Sequence, residues 1–250
     1  MKRIVVIADM HCGHLAGLTP PEWQKTAYQK KFWGWYAKEA KKLKGVDVLI
    51  VNGDAIDGNA PKSGGSELIT TDRLIQAQMA AEAIKQFNPK KVYMLYGTAY
   101  HVGQQEDFEE VVVKDLSLSG ISVNIRDILH ANIGGLVFNI RHKADSRSRI
   151  PHTRKGPTLD MLWDSLEAQM TGGEKSDIVI RSHNHYYALT ETALGFAVST
   201  PCLQLNSKYG ARSCSGHIDI GFLSFEVKNK DSWSMHKHFM AMPPKEIEKL

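Results

Sequence analysis

The sequence predicts a layered α/β protein with mixed sheets, and two observations lead to this fold class. Ahead of residue 186, short apolar runs alternate with amphipathic helical stretches. After residue 186 the pattern changes to strands and turns with no obvious helix. Alternation followed by a strand-rich end is typical of sheets that are covered by helices. Because there is no internal repeat and no linker, we expect residues 1–250 to form a single domain.

Five apolar, β-branched runs end abruptly in polar residues and predict short, largely buried strands. In chain order they are KRIVVIA, VDVLIV, KKVYMLY, GLVFNI and SDIVI. A continuous apolar run is typical of a strand that is covered on both faces. Three later stretches predict the strands of the C-terminal part: GFAVST, HIDIGFLSFEV and SWSMHKHFMAM.

Four segments between these runs show helical periodicity, namely 21–44, 66–87, 107–118 and 158–170. In the first segment apolar residues recur at steps of three and four, which predicts a core-facing stripe. We interpret the seven lysines of this segment as its solvated face rather than as a nucleic-acid patch. We interpret the acidic residues at the start of the third segment as a helix first turn that complements the helix dipole.

The composition excludes several classes of protein. No run of 18 or more apolar residues exists, which argues against a membrane-spanning helix. The opening MKRIVVIADMH has too few consecutive apolar residues for a signal peptide. We therefore expect a cytoplasmic protein that does not associate with a membrane. Cys12, Cys202 and Cys214 are an odd number without metal-ligand spacing, which argues against a disulfide framework and a zinc finger. The net charge of +4 is compatible with a phosphorylated substrate but is too small to establish nucleic-acid binding.

Residues of metal-ligand type follow each of the five predicted strands of the first part of the chain. In order they are Asp9 with His11, Asp54, His101, His142, and His183 with His185. Ligands of α/β proteins bind beyond the carboxyl ends of the strands, so these side chains are expected at one edge. In an extended backbone residues i and i+2 point to the same side, which would let each D-x-H or H-x-H pair converge. A single pair arises by chance, whereas five such endings favour a shared site.

This set of side chains predicts two divalent metal ions. Carboxylates and imidazoles without thiolates suit Mn²⁺, our first choice, with Fe, Zn²⁺ or Ni²⁺ as alternatives. One catalytic zinc needs fewer ligands than the six candidates available, which are Asp9, His11, Asp54, His142, His183 and His185. Two ions about 3.5–4 Å apart lower the pKa of a shared water towards roughly 7 and hold both oxygens of an in-line displacement. Phosphoryl transfer is the chemistry that needs this arrangement.

The order of these motifs, D-x-H, G-D-x-x-D, G-x-x-x-H, a single His and H-x-H, resembles that of the calcineurin-like metallophosphoesterases. The resemblance implies a four-layer α/β/β/α sandwich with two mixed β-sheets and a phosphoester hydrolase with two metal ions. It also implies how the candidate ligands divide between two ions that share Asp54: Asp9, His11 and His185 on one ion, and His142 and His183 on the other. We choose His142 over His130 and His152 because it closely follows the run GLVFNI.

The third motif departs from the pattern of that family, which is Gly-Asn-His-Asp or Gly-Asn-His-Glu with the Asn as a metal ligand. Here Gly97 is followed by Thr98, and His101 arrives two residues late. We expect Thr98 to take the place of the Asn, directly or through a water, with Asn52 and Asn59 as alternative amide donors. His101 would then be the general acid, while a ligand role and the absence of any role stay open.

Several further residues have expected roles around the site. Segment 141–155 carries six basic residues against one acid, and guanidinium groups match phosphate oxygens bidentately, although a solvated surface is the alternative. The candidates for substrate binding are His14, Arg147, Arg149, Arg154, Lys208 and Arg212. For His14, capping of a turn is an equal alternative. We expect Asp57 to orient a ligand histidine and Cys12 to be a packing residue.

These observations predict a metal-dependent phosphoester hydrolase. A phosphodiesterase or nuclease is the first choice, because the basic segment suits a diester backbone, so a nucleic acid or nucleotide is the candidate substrate. A phosphomonoesterase or protein phosphatase is the second choice. From another class, a non-catalytic binding module on the same fold is the alternative, and the altered third motif is the feature in its favour.

Overall fold

Two mixed β-sheets lie face to face, with helices on both outer sides. The structure is a computed structural model that describes residues 1–60, 64–102, 107–144, 155–208 and 218–242. One buried cluster of apolar side chains lies between the two sheets, and another lies between the first sheet and its helices. This arrangement confirms the predicted α/β class with two mixed sheets.

The first sheet has the spatial order β11-β10-β1-β2-β3-β4 within the described ranges. Its strands are β1 Lys2–Ile7, β2 Val48–Asn52, β3 Lys91–Leu95, β4 Ser122–Arg126, β10 Gly221–Asn229 and β11 Ser232–Phe239. The strands β1 to β4 are parallel, whereas β10 runs antiparallel to both β1 and β11. The carboxyl ends of β1, β2 and β3 therefore meet at one edge.

The second sheet has the spatial order β5-β6-β7-β9-β8. Its strands are β5 Leu129–Ile133, β6 Leu136–Ile140, β7 Ile178–Arg181, β8 Ala188–Thr192 and β9 Gly195–Ser199. The central strands β6, β7 and β9 are parallel, and the two edge strands are antiparallel to their neighbours. The carboxyl ends of β6 and β7 are thus a second set of strand ends from which side chains can reach a common site.

The α-helices of the described ranges are α1 Ala27–Lys42, α2 Arg73–Lys85, α3 Ala99–Val102, α4 Glu109–Leu118 and α5 Lys155–Thr171. Helix α1 begins later than predicted because Thr26 and Gln29 form a capping box, and α2 begins later because Asp72 caps it. Gly156 and Pro157 lie inside the first turn of α5 and not ahead of the helix as predicted. A proline is tolerated in a first turn, because the backbone N–H that it lacks would have no partner within the helix there.

The packing places helices on both outer faces. Side chains of α1, α2 and α4 belong to the cluster on the first sheet, which includes the mutually packed rings of Tyr36, Phe87 and Phe222. Helix α5 covers the second sheet through Met161. None of the helices in the described ranges combines the length and the hydropathy that a membrane span requires.

The five predicted strands of the first part are confirmed as β1, β2, β3, β6 and β7. Three strands, β4, β5 and β8, are not among the runs that the sequence predicts as strands. Each lies at an edge of a sheet and lacks the continuous apolar run that marks a central strand. The one-turn helix α3 is too short to show a periodicity.

We predict that Tyr36→Phe lowers the free energy of unfolding by about 1 kcal/mol, since it removes one buried hydrogen bond. The Tyr36 hydroxyl on α1 donates to the carbonyl oxygen of Ala83 on α2 at 2.9 Å, and the ring is fully buried. The control is Tyr28→Phe on the same helix, where the side chain is 66% exposed. Urea unfolding of the three proteins measures the difference, and equal stabilities would contradict the prediction.

Candidate metal centre

Seven of the residues predicted for the site follow strand ends of both sheets. Asp9 and His11 follow β1, Asp54 follows β2, His101 lies in α3 after β3, His142 follows β6, and His183 and His185 follow β7. The structure brings a donor atom from each of them into overlapping groups. We call the space between these seven side chains the pocket, and it lies where the strand ends of the two sheets meet.

The two-residue spacings predict that the members of each pair converge because they lie on one side of an extended backbone. This prediction is wrong, because the backbone of the ligand residues is not extended. Five of the six candidate ligands have φ in the left-handed region: Asp9 (51°), His11 (44°), Asp54 (49°), His183 (72°) and His185 (62°). Residues other than glycine rarely adopt this backbone conformation, which costs them on the order of 1–3 kcal/mol each. Each pair converges because the chain turns sharply at both of its members.

Three glycines leave the space that these turns need. A Cβ on Gly53 would lie 2.4 Å from His142 Nδ1, and a Cβ on Gly97 would lie 2.3 Å from Asp54 Oδ1. A Cβ on Gly58 would lie 2.1 Å from the carbonyl oxygen of His101. Any side chain at these positions would displace a residue of the site.

Asp9 and Asp54 lie at the centre of the group. Asp9 Oδ1 is 3.3 Å from His185 Nε2 and 3.9 Å from both His11 Nε2 and His142 Nε2. Asp54 Oδ2 is 3.1 Å from His142 Nε2, and 3.8 Å separates it from Nδ1 of His183.

The described residues form three groups that could hold a metal ion, each with donor atoms within 4.8 Å of one another. They are Asp9 with His11 and His185; Asp9 with Asp54, His142 and His183; and His11 with Asp54 and His101. Asp9 and Asp54 each belong to two groups, so both carboxylates are placed to be shared between ions. The division of ligands implied by the family resemblance stays a prediction.

Buried acceptor atoms without partners fit a bound cation. Asp9 Oδ1 and His142 Nε2 are buried and have no hydrogen-bond partner. His142 Nδ1 donates to the carbonyl oxygen of Asn52 at 2.6 Å, so a neutral ring keeps a lone pair on Nε2, which faces a carboxylate oxygen of Asp54. Two acceptors in contact repel each other unless a cation or a proton lies between them. The donor set therefore fits a divalent metal ion.

The electrostatics of the pocket indicate the same need for positive charge. Burial disfavours a charged ring at His142, yet the negative charges of Asp54 and Asp9 outweigh it and raise the pKa of His142 to about 10. Burial and the neighbouring His101 lower the pKa of His11 to about 4, so its ring is neutral and keeps a lone pair. Burial opposes ionisation of Asp54, but His142 lowers the pKa of its carboxyl well below the usual value.

Asp57 and Asn52 hold the histidines in place. Asp57 Oδ1 accepts a hydrogen bond from His11 Nδ1 at 3.0 Å, which is the contact expected for a residue that orients a ligand. The Asn52 side-chain amide donates to Ser182 Oγ at 2.7 Å and to the carbonyl oxygen of Arg141 at 3.2 Å. Asn52 thus connects the end of β2 to the ends of β6 and β7, and Asn59, the other candidate amide, is exposed.

Thr98 contacts Asp54 through two groups. Its backbone N–H donates to Asp54 Oδ1 at 2.7 Å, and its hydroxyl lies 3.1 and 3.3 Å from the two carboxylate oxygens. This residue therefore orients Asp54, and a ligand role for its hydroxyl stays a prediction. His101 is partly buried, and its Nδ1 donates to the carbonyl oxygen of Asp57 at 2.9 Å.

Glu109 also supports the site, although nothing in the sequence distinguishes it from the neighbouring acidic residues. Its carboxylate is fully buried and accepts hydrogen bonds from Gly97 N at 2.7 Å and from Ala55 N at 3.0 Å. It therefore fixes the loops that carry Thr98 and Asp54, and does more than complement a helix dipole. Burial raises the pKa of Glu109 to about 7 despite these hydrogen bonds. Its position in an acidic first turn, where several acidic residues look alike, gave no signal of this contact.

The predicted substrate residues are only partly within the described ranges. His14 is 5% exposed, and its Nδ1 accepts a hydrogen bond from Ala16 N at 2.9 Å, a contact that favours capping of a turn. The Lys208 side chain is exposed, and its backbone N–H donates to Glu67 at 3.1 Å. The remaining candidates, Arg147, Arg149, Arg154 and Arg212, lie outside the described residues. The same is true of His152, the alternative to His142 as a metal ligand.

Comparisons with known proteins agree with this fold. The family described as calcineurin-like phosphoesterase matches residues 2–187. No curated protein matches the chain. Vacuolar protein sorting 29 from Cryptosporidium parvum superposes with a TM-score of 0.51 at 10% identity, over 96% of this chain and 98% of that chain. Vps29 from Chaetomium thermophilum has a TM-score of 0.50 at 10% identity, over 95% and 97% of the two chains. These two likenesses support the fold.

A third solved structure, of an archaeal phosphodiesterase, has a TM-score of 0.45 at 13% identity, over 94% of this chain and 99% of that chain.

We predict that Gly97→Ala weakens metal binding by at least about tenfold, because the added Cβ pushes against Asp54 and moves its carboxylate. The control is Gly34→Ala in α1, where a Cβ meets no atom within 4 Å. That variant should bind metal normally and gain up to about 1 kcal/mol of stability. Titration calorimetry with Zn²⁺ or Mn²⁺ measures the affinities, and wild-type affinity in Gly97→Ala would refute the assigned packing.

We predict that Glu109→Gln lowers metal affinity by about 10–100-fold, since an amide cannot accept hydrogen bonds at both ends. The adjacent Glu110→Gln is the control. Glu110 also accepts a hydrogen bond, from the Tyr96 hydroxyl, but this contact is exposed and outside the pocket. If the two variants bind metal equally well, Glu109 does not position the site.

Proposed function

The chain belongs to the calcineurin-like phosphoesterase family, and on that premise we propose that it is a phosphoester hydrolase that works with two divalent metal ions. One observation carries the proposal: six Asp and His residues from both sheets converge on one pocket, and two of their buried acceptor atoms have no partner. A bound cation would satisfy those atoms.

The left-handed backbone of five ligand residues favours an enzyme over a binding module without metal. Glycine adopts this conformation without the steric cost that Asp and His carry. A chain that made no use of these side chains would be more stable with glycine at those positions. The side chains Asp9, His11, Asp54, His183 and His185 are therefore retained at an energetic cost.

When bound, the two ions would supply Lewis acids for the phosphate oxygens and an activated water as the nucleophile. The residues of the chain would hold this arrangement in place. Asp9 and Asp54 supply the shared negative charge, while Asp57 and the Asn52 carbonyl oxygen fix the rings of His11 and His142. Preorganised ligands of this kind do not need to rearrange during the reaction.

We propose Mn²⁺ as the first choice of metal, with Fe, Zn²⁺ and Ni²⁺ as alternatives, because the donors are carboxylates and imidazoles. We propose a phosphodiester, such as that of a nucleic acid or nucleotide, as the substrate class. The support for this choice is the basic charge of segment 141–155. A phosphomonoester, including that of a phosphoprotein, is the alternative.

We predict that metal-loaded protein hydrolyses bis(p-nitrophenyl) phosphate and that Asp54→Asn lowers kcat/KM by at least about 100-fold, because it removes a shared negative ligand. The control is Asp231→Asn, an exposed residue of the turn between β10 and β11. Removal of metal with a chelator should abolish the activity of the wild type, and Mn²⁺ should restore it.

The same experiment separates the alternatives. Faster cleavage of p-nitrophenyl phosphate than of the diester would favour a phosphomonoesterase. If protein loaded with Mn²⁺, Fe, Zn²⁺ or Ni²⁺ cleaves neither ester and Asp54→Asn binds metal as the wild type does, the proposal fails. Well under one metal ion per chain after expression with added metal would favour the binding module.

A further inference from the structure

His101 lies against the pocket because a single helical turn brings it back. Helix α3 begins one residue after Thr98, and His101 N donates to the Thr98 carbonyl oxygen at 2.9 Å. The His101 ring stands perpendicular to that of His11, with 4.5 Å between their centroids. Gly58 packs against the carbonyl oxygen of His101 and leaves no space for a side chain. The backbone of His101 is thus fixed against the second motif.

One hydrogen bond decides which nitrogen of His101 is available. Its Nδ1 lies 2.9 Å from the carbonyl oxygen of Asp57, which can only accept, so Nδ1 carries the proton. In the neutral ring Nε2 then holds a lone pair and is an acceptor. His11 and His142 show the same arrangement, since each donates from Nδ1 to an oxygen and directs Nε2 at the pocket. A histidine that binds metal commonly donates its other N–H in this way.

The position of His101 also fits a metal ligand. A ring nitrogen of His101, a ring nitrogen of His11 and a carboxylate oxygen of Asp54 lie within 4.8 Å of one another. An ion binds imidazole and carboxylate at about 2.0–2.2 Å, so small shifts would bring three such atoms onto one ion.

We propose that His101 binds metal through Nε2, together with His11 and Asp54, and does not donate a proton to the leaving group. This inference rests on the proposed function, because it assigns a residue of the same dimetal site. The third motif lacks the Asn that is a metal ligand in the family pattern. In this assignment Thr98 orients Asp54, and His101 supplies the donor atom. With His101 as a ligand, the additional imidazole changes the first choice of metal from Mn²⁺ to Zn²⁺, Fe or Ni²⁺.

The test is metal binding by His101→Ala and His101→Gln, compared with His130→Ala. His130 is an exposed histidine of β5 and serves as the matched control. Calorimetric titration with Zn²⁺ and Mn²⁺ and the visible spectrum of the Co²⁺ form report on ligands without any need for activity. We expect His101→Ala to bind one of two ions at least about 100-fold more weakly, with a larger loss for Zn²⁺ than for Mn²⁺.

The His101→Gln variant keeps the test valid if His101→Ala fails to fold. Its amide oxygen reaches close to the position of Nε2, so we expect a partial recovery of affinity and an altered Co²⁺ spectrum. His130→Ala should match the wild type in both measurements. Wild-type affinity for both ions in the two His101 variants would overturn the proposal.

Leaving-group dependence separates the proton-donor role from the ligand role. If His101 variants keep both ions, hydrolyse an activated p-nitrophenyl ester normally and lose only the cleavage of an alkyl ester, His101 is a proton donor and the inference is wrong. If the wild type binds two ions but cleaves no ester while His101→Ala loses one ion, the ligand assignment stands and the hydrolase proposal fails. A wild type that binds no ion overturns both.

Discussion

Two carboxylates, those of Asp9 and Asp54, are buried side by side, and the backbone and side chains around them are arranged to offset their negative charge. Asp9 and Asp54 are almost fully shielded from water, and a buried charge is costly unless it is paired and hydrogen-bonded. Part of the compensation comes from the backbone, since His183 N donates to Asp9 at 3.1 Å and Thr98 N donates to Asp54 at 2.7 Å. The surrounding imidazoles supply more of this compensation, and a bound cation would add to it. The sharp turns at the strand ends exist to bring these partners close.

The packing between the two sheets sets the width of the pocket. Ile50 and Leu95 of the first sheet belong to one buried cluster with Ile140 and Ile180 of the second, close to the strand ends that carry the ligands. A chain of hydrogen bonds from the Asn52 amide through Ser182 to Thr200 joins the same ends. A change in the core between the sheets would therefore move one half of the ligand set relative to the other, so packing and metal affinity are coupled.

The sequence predicts the parts of this protein that follow from hydrophobic pattern and residue chemistry. The central strands have continuous apolar runs, and Asp or His residues come soon after them, so both the α/β class and the ligand candidates could be found. The left-handed turns at Asp9 and His183 could not, because Asp and His do not mark that conformation as glycine does. Glu109 was missed for another reason: burial through tertiary contacts, not residue type, distinguishes it from the exposed Glu110 beside it.

The single turn of α3 shows how a motif can gain residues while its histidine stays beside the other residues of the site. Each residue advances the chain by about 1.5 Å in a helix but by about 3.3 Å in a strand, so inserted residues that coil add little distance. In this chain the histidine of the third motif comes two residues late, and the turn of α3 keeps a ring nitrogen of His101 close to Asp54 and His11. A search pattern written as fixed residue spacings would overlook sites that are equivalent in three dimensions.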